Sequence, residues 1–401
     1  MIYLIIFIFI LFCSYYYDYK KNTKNRNNIY IFILITLILL AGLRYRIGLD
    51  TLRYMYSFSE IPELYNISNS DFIESKYDPL YLILSSVSKT ISSDFWVLQF
   101  IHAVFVNTVV FLFIKKNTKN IFCGLLFYYS FLYISFMCEV MREACAVSMF
   151  LLGYEYLKKD KLVFFTLFCF FAFLFHTSAI LLLIIPILIK LKLFYLLKIE
   201  KRFLFVLAIT LFLGYYIQTF FFDYLSIFYI NERFSDKVDR YSDSALAGQI
   251  YNFWGVLSTF VRFIIIPFFL CLTYKIRYML NKKLESFFCL YLLFAILRIP
   301  ITILYRYNNY FYPFALIVMS NIMFSDKILI TRTKFISIKS YLAWIFVISP
   351  MFVLQFYGYT TNVKGTALYK EYMRYYPYSS IITKEKDENR ERLYDYYDIY
   401  Y

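Results

Sequence analysis

Apolar residues come in long blocks along this chain, separated by short segments crowded with Lys, Arg and Asn. A helix that crosses a bilayer needs roughly 17–25 mostly apolar residues. The pattern predicts twelve membrane helices, some of them short, over residues 2–17, 29–43, 95–114, 121–135, 144–157, 162–175, 177–189, 203–222, 253–274, 286–300, 308–324 and 340–357. Residues 78–91 are moderately apolar. A crossing there would invert every later loop, so this stretch is expected to be a re-entrant or surface helix within the loop 44–94. Lysines at both ends of 162–189 (Lys158, Lys159, Lys161; Lys190, Lys192) predict a hairpin turning at His176. The expected fold class is therefore all-α: a polytopic integral membrane domain of about twelve transmembrane helices over 1–357, with a polar, Tyr-rich extracytoplasmic tail over 358–401. The tail's mixed charge suggests a surface-bound or partly disordered segment, not a catalytic domain.

Composition agrees with this pattern. Of 401 residues 61% are hydrophobic, against roughly 45–50% in soluble proteins. The net charge of +15 would suggest nucleic acid in a soluble protein. Here the excess lies in alternate short loops. Residues 18–28, 115–120, 155–161, 190–202, 275–285 and 325–339 hold 23 of the 42 Lys+Arg and only six of the 27 Asp+Glu. This asymmetry assigns those loops to the cytoplasm and both termini to the outside. Nucleic acid is not an expected partner. Residues 1–12 carry no basic n-region and no small-residue cleavage site, and read as the first membrane helix. Seven cysteines without a CxxC pair, and two histidines, predict neither a disulfide framework nor a zinc site.

The topology sorts the polar residues. Arg44, Arg46, Asp50, Arg53, Asp78, Glu139, Arg142, Glu143, His176 and Arg306 all fall at or near the outer ends of predicted helices. Short helices turning below the outer surface would leave an outward-facing, water-accessible cavity, basic and rimmed by Tyr. Each residue also has a plainer reading. Arg44 and Arg46 fit interfacial anchors. Arg142 lies three residues after Glu139 and one before Glu143, where an ion pair is expected. His176 fits a cap of the helix turn, and His102 a hydrogen-bonded core residue. Asp223, Asp236, Asp239 and Asp243 lie in a loop of both charge signs that reads as solvated surface.

Five short motifs then carry a resemblance. Gly42-Leu43-Arg44-Tyr45-Arg46-Ile47-Gly48-Leu49-Asp50-Thr51, with Tyr54, resembles the R-x-x-[VI]-G-T-D-x-x-x-Y signature of the EpsG family of Wzy-like bacterial polysaccharide polymerases, with Leu49 where Thr is usual. Asp78-Pro79-Leu80-Tyr81 is similar to the E-P-G-Y element, and Met141-Arg142-Glu143-Ala144-Cys145-Ala146 to R-Q-x-[IL]-A, with Glu143 replacing Gln. Phe175-His176-Thr177-Ser178-Ala179 resembles F-H-x-S-A, and Tyr305-Arg306-Tyr307 with Tyr310 and Phe311 the late R-x-x-x-Y element. The motifs run in family order over about 40–315.

The resemblance implies an enzyme of the bacterial cytoplasmic (inner) membrane with its active site facing outward. It would join undecaprenyl-diphosphate-linked oligosaccharide repeats into capsule, exopolysaccharide or O-antigen. A hydroxyl of the acceptor repeat attacks the anomeric carbon of the donor, and undecaprenyl diphosphate leaves. Arginine forks suit the charge growing on a diphosphate. Arg44, Arg46, Arg142 and Arg306 are the candidates for it, with Tyr54, Tyr81 and Tyr310 on the substrate. His176 or Asp50 would take the hydroxyl proton, a His having the more suitable intrinsic pKa; Asp50 equally suits orienting Arg46 or Arg53. No DxD-like motif stands out, so neither an essential divalent cation nor a cofactor is expected. Partners would be membrane lipid, a flippase and a chain-length regulator. The alternatives are a lipid-linked oligosaccharide flippase or transporter, an O-antigen-ligase-type transferase, and a non-catalytic scaffold.

Overall fold

The computed structural model describes residues 2–75, 77–196, 261–273, 281–299, 304–323 and 370–400, with isolated positions between 205 and 260. Regular structure among them is helical; one isolated antiparallel bridge joins Arg44 to Ser380. The chain forms two compact units, Met1–Ile187 with Phe356–Tyr401, and Leu188–Gln355.

In the first unit, α1 (Ile2–Cys13) continues as a π-helical turn to Tyr19. There follow α2 (Arg26–Gly42), α3 (Thr51–Glu60), the short α4 (Asn69–Glu74), α5 (Pro79–Ile91) and α6 (Phe95–Asn117). Next come α7 (Ile121–Tyr128), extended by π-helical turns Tyr129–Tyr133 and Ser135–Glu139, then α8 (Met141–Lys158) and α9 (Leu162–Phe175). A 3-10 segment, Thr177–Leu183, leads into α10 (Ile184–Lys190). Two helices, Ile2–Tyr19 and Phe95–Asn117, are each long and apolar enough to cross a bilayer; Arg26–Gly42, Ile121–Tyr133, Leu162–Phe175 and Thr177–Lys190 are apolar but shorter. The predicted helix 162–175 is found with those bounds, and 95–114 and 144–157 lengthen to Phe95–Asn117 and Met141–Lys158. The predicted spans 203–222, 253–274 and 340–357 lie wholly or partly outside the described residues.

Apolar side chains cover both the inside and the outside of this unit. Ile5, Ile8 and Phe12 on α1, Phe32 and Ile35 on α2, and Val163, Phe164 and Phe170 on α9 are exposed. Helices that are apolar all round suit a lipid environment. Between the helices, polar groups are spent on backbone carbonyls. Tyr30 donates to Phe111, Tyr129 to Tyr3, and Tyr133 to Leu37, at 2.8, 2.8 and 2.6 Å. Such bonds matter where water is excluded, because an unsatisfied hydroxyl costs several kcal/mol there.

Alternating helix directions gather two sets of ends. At one end the Asp18 carboxylate takes the Cys123 amide at 2.8 Å and Arg26 at 3.0 Å, while Glu155 pairs with Lys158 at 2.8 Å and Lys116 at 3.8 Å. The other end gathers the C-terminus of α2, the N-termini of α6 and α8, and the turn after α9. His102 on α6 reaches the Met141 carbonyl there at 3.0 Å, in agreement with its expected core role.

The second unit contains α11 (Ile266–Thr273), preceded by a π-helical turn Val261–Ile265, with α12 (Lys282–Leu297) and α13 (Tyr305–Met323). Stacked rings join the last two: Tyr291–Tyr312, Phe287–Phe314 and Phe294–Phe311, with centroids 5.2, 4.6 and 5.4 Å apart. The Asn281 side chain caps α12 by accepting from the Lys283 amide at 3.0 Å.

The candidate active site

The segment between α2 and α3 turns twice in the left-handed region, at Arg46 (φ 51°) and Gly48 (φ 103°). Gly48 needs that freedom and also lies against the end of α7. A Cβ there would sit 2.7 Å from the Cys138 Cβ and 2.9 Å from its carbonyl oxygen. The double turn aims the Leu49 and Asp50 amides at the Glu139 carboxylate, which accepts them at 3.0 and 3.2 Å. Glu139 is presented by the π-helical extension of α7, a geometry frequent at functional sites.

Asp50 then enters a cluster of mixed charge. It is half-buried and pairs with Arg53 at 3.7 Å. Burial, with the Glu139 carboxylate next, pushes its carboxyl up to about 6, against the pull of Arg53, Arg142 and Arg374. Tyr54, one turn into α3, donates to the Glu139 carbonyl at 3.3 Å. Its ring lies 6.2 Å from Tyr77 and 6.1 Å from Tyr81, and those two are 5.2 Å apart.

Asp78 joins the two motif residues furthest along this unit. Pro79 starts α5 at the position where a missing N–H costs nothing, which leaves Asp78 extended just outside the helix. Its Oδ2 lies 3.2 Å from His176 Nδ1 and 3.8 Å from Arg142 Nη1. The Arg142 guanidinium stands over the Tyr77 ring, 5.1 Å from its centroid, a contact worth about 0.5–2 kcal/mol. His176 breaks the helix with an extended backbone (φ −158°, ψ 122°), so its side chain leaves the α9 axis towards α5.

Several expectations change here. Arg142 pairs with Asp78, while Glu139 is occupied by the amides of the double turn. The His176 ring does not cap its turn; it bonds Asp78. The arginines have carboxylate neighbours, so the cluster is of mixed charge and not simply basic. Asp50, Tyr54, Tyr81, Arg142 and His176 come together as predicted site residues, with Tyr81 fully buried. Arg44 does not join them. It is buried and turned back onto the Ala41 carbonyl and the Met141 sulfur, because the bridge to Ser380 holds its backbone at the end of α2. Nor does Arg46 reach them, its guanidinium being held by Glu391. Arg306 and the fully buried Tyr310 belong to the second unit, where Arg306 lies 5.6 Å from its neighbour Tyr305.

Residues from the C-terminal segment are the main omission of the sequence reading. A 3-10 turn, Glu371–Arg374, and α14 (Glu388–Tyr400) lie against the double turn. Tyr45 N–H donates to Ser379 and Ile381 N–H to Leu43, both at 2.9 Å, and Gly48 N–H to Arg374 at 3.0 Å. The Tyr375 hydroxyl adds a third donor to Glu139, at 2.6 Å. Polar, Tyr-rich composition signalled only a surface segment here.

No curated protein and no solved structure matches the chain. A family sequence model does: its match begins at residue 27, before the double turn, and ends at residue 380, within the segment that covers it. On that match, over residues 27–380, the chain belongs to the EpsG family.

Proposed function

We propose that this protein is a polysaccharide polymerase, a metal-independent glycosyltransferase that joins lipid-diphosphate-linked oligosaccharide repeats on the outer face of the bacterial cytoplasmic membrane. Its family makes it a membrane protein of polysaccharide biosynthesis. The observation that carries the finer reading is the convergence of Arg142 and His176 on Asp78, beside the Tyr54, Tyr77 and Tyr81 rings. A glycosyl transfer with a diphosphate leaving group needs a cation where charge grows and a base where the acceptor loses its proton. Arg142, set by Asp78 and Tyr77, supplies the cation.

His176 supplies the base. With its Nδ1–H donated to Asp78, the neutral ring carries its lone pair on Nε2, which takes the proton of the attacking hydroxyl. The part-exposed Tyr77 ring, backed by the buried Tyr54 and Tyr81, is the aromatic surface that can meet sugar. Asp50 remains the second candidate base, since its raised pKa suits proton exchange nearer neutrality. The substrates are undecaprenyl-diphosphate-linked repeats, and the product is capsule, exopolysaccharide or O-antigen.

Purified protein given lipid-linked repeats in detergent should lengthen them. Arg142→Ala and His176→Ala should lower the rate by about 10²-fold or more, and Arg142→Lys should recover part of it. Movement of repeats across liposomes without joining would instead establish a flippase. Full polymer from correctly inserted Arg142→Ala and His176→Ala proteins would establish a scaffold.

A further inference from the structure

Arg46 has the look of a ligand arginine, yet its guanidinium is committed. Its Nε donates to Glu391 Oε1 at 2.7 Å and its Nη2 to Oε2, a two-point fork on a carboxylate from α14. Its backbone sits in the left-handed region, which disfavours a residue with a side chain. The carbonyl of this strained residue accepts the Tyr394 hydroxyl at 2.8 Å and Arg390 Nη1 at 3.4 Å. The Gly48 carbonyl lies 2.9 Å from the same hydroxyl, so the two carbonyls share its one proton. Both left-handed residues of the double turn are thus held by one helix. Arg390 is itself buried and tied to the Met373 and Pro377 carbonyls, which closes the segment on itself.

We propose that residues 371–394 are a strap that belongs to the active site, in which Glu391, Tyr394 and Tyr375 are positioning residues. They hold the Arg46–Gly48 turn and the Glu139 carboxylate, and through these they set where Asp50 stands. Arg46 is the receptor for the strap, not a ligand of the substrate. A residue in a sparsely populated conformation persists only where its surroundings over-determine it. Here the strap supplies that surplus. This inference rests on the polymerase reading for its activity readout alone.

A charge swap tests it. Arg46→Glu and Glu391→Arg are made singly and together in the full-length protein in detergent, with Arg46→Gln and Glu391→Gln as milder forms should the reversals not insert. Protease cleavage within residues 371–400 and polymer yield are both measured. Each single variant should be cleaved about tenfold faster, the loss expected for a hydrogen bond to a charged group, and should make less polymer. The swap should restore both. The proposal is overturned if cleavage is unchanged in the single variants, or if polymer yield ignores strap release. It is also overturned if Glu391→Arg alone keeps full polymer while the swap is as inactive as Arg46→Glu, since Arg46 then acts on substrate. Failure of the polymerase reading shows separately, as full polymer from Arg142→Ala and His176→Ala with the cleavage pattern of the strap variants intact.

Discussion

At the scale of single residues, the candidate site depends on groups whose conformation or charge is forced by neighbours. Gly48 is the clearest. Its φ of 103° and the 2.7 Å gap to Cys138 leave no room for a side chain. Gly48→Ala should destabilise the first unit by about 1–3 kcal/mol and lower polymer yield, read as a fall in the apparent melting midpoint in detergent. Asp50 carries a pH signature. Its carboxyl titrates near 6 in the folded protein against 3.8 otherwise, so between those values the folded state keeps a proton that the unfolded chain has released. Its contribution to stability is therefore present below about pH 4 and lost as pH rises through about 6. Comparing apparent melting midpoints of the native protein and Asp50→Asn from pH 4 to 7 checks this. The native protein should lose more over that range.

Single elements place these residues through where they stop. Pro79 starts α5 one residue after Asp78, and the break at His176 ends α9, so two short motifs far apart in sequence face each other. The pairing of α8 with α9 holds Arg142 and His176 in one frame. At Gly153 these helices approach so closely that an added Cβ would lie 2.8 Å from the Phe168 Cβ and 3.3 Å from the Phe165 ring. Gly153→Leu should force them apart and cost about 1–3 kcal/mol through overpacking. Fluorescence-detected gel filtration after heating should show earlier aggregation, with loss of polymer although no site residue has changed.

For the molecule as a whole, the two sets of helix ends in the first unit differ in chemistry. Lys116, Lys158 and Arg26 stand with Glu155 and Asp18 at one end, and Asp50, Asp78, Glu139, Arg142 and His176 at the other. The charge bias of the loops predicts that the first end is cytoplasmic. Cysteines placed at Lys116 and Arg53 in a background without reactive thiols should label from opposite sides of the membrane. Labelling of both from one side would refute the twelve-helix arrangement with outer termini.

The sequence by itself determined the apolar helical character, the bounds of helices such as Leu162–Phe175, and the short motifs that hold Asp50, Arg142 and His176. Those follow from local periodicity and residue chemistry, which act within a few turns of chain. Partner choice was settled only in three dimensions. Arg142 lies three residues after Glu139 yet pairs with Asp78, because Glu139 is claimed by the Leu49 and Asp50 amides and Asp78 is brought to it by α5. Arg46 meets Glu391 across 345 positions, and Tyr375 meets Glu139 across 236. No local pattern encodes such pairs. They exist because folding brings the double turn, the π-helical end of α7 and the C-terminal segment together, where each buried charge requires a partner.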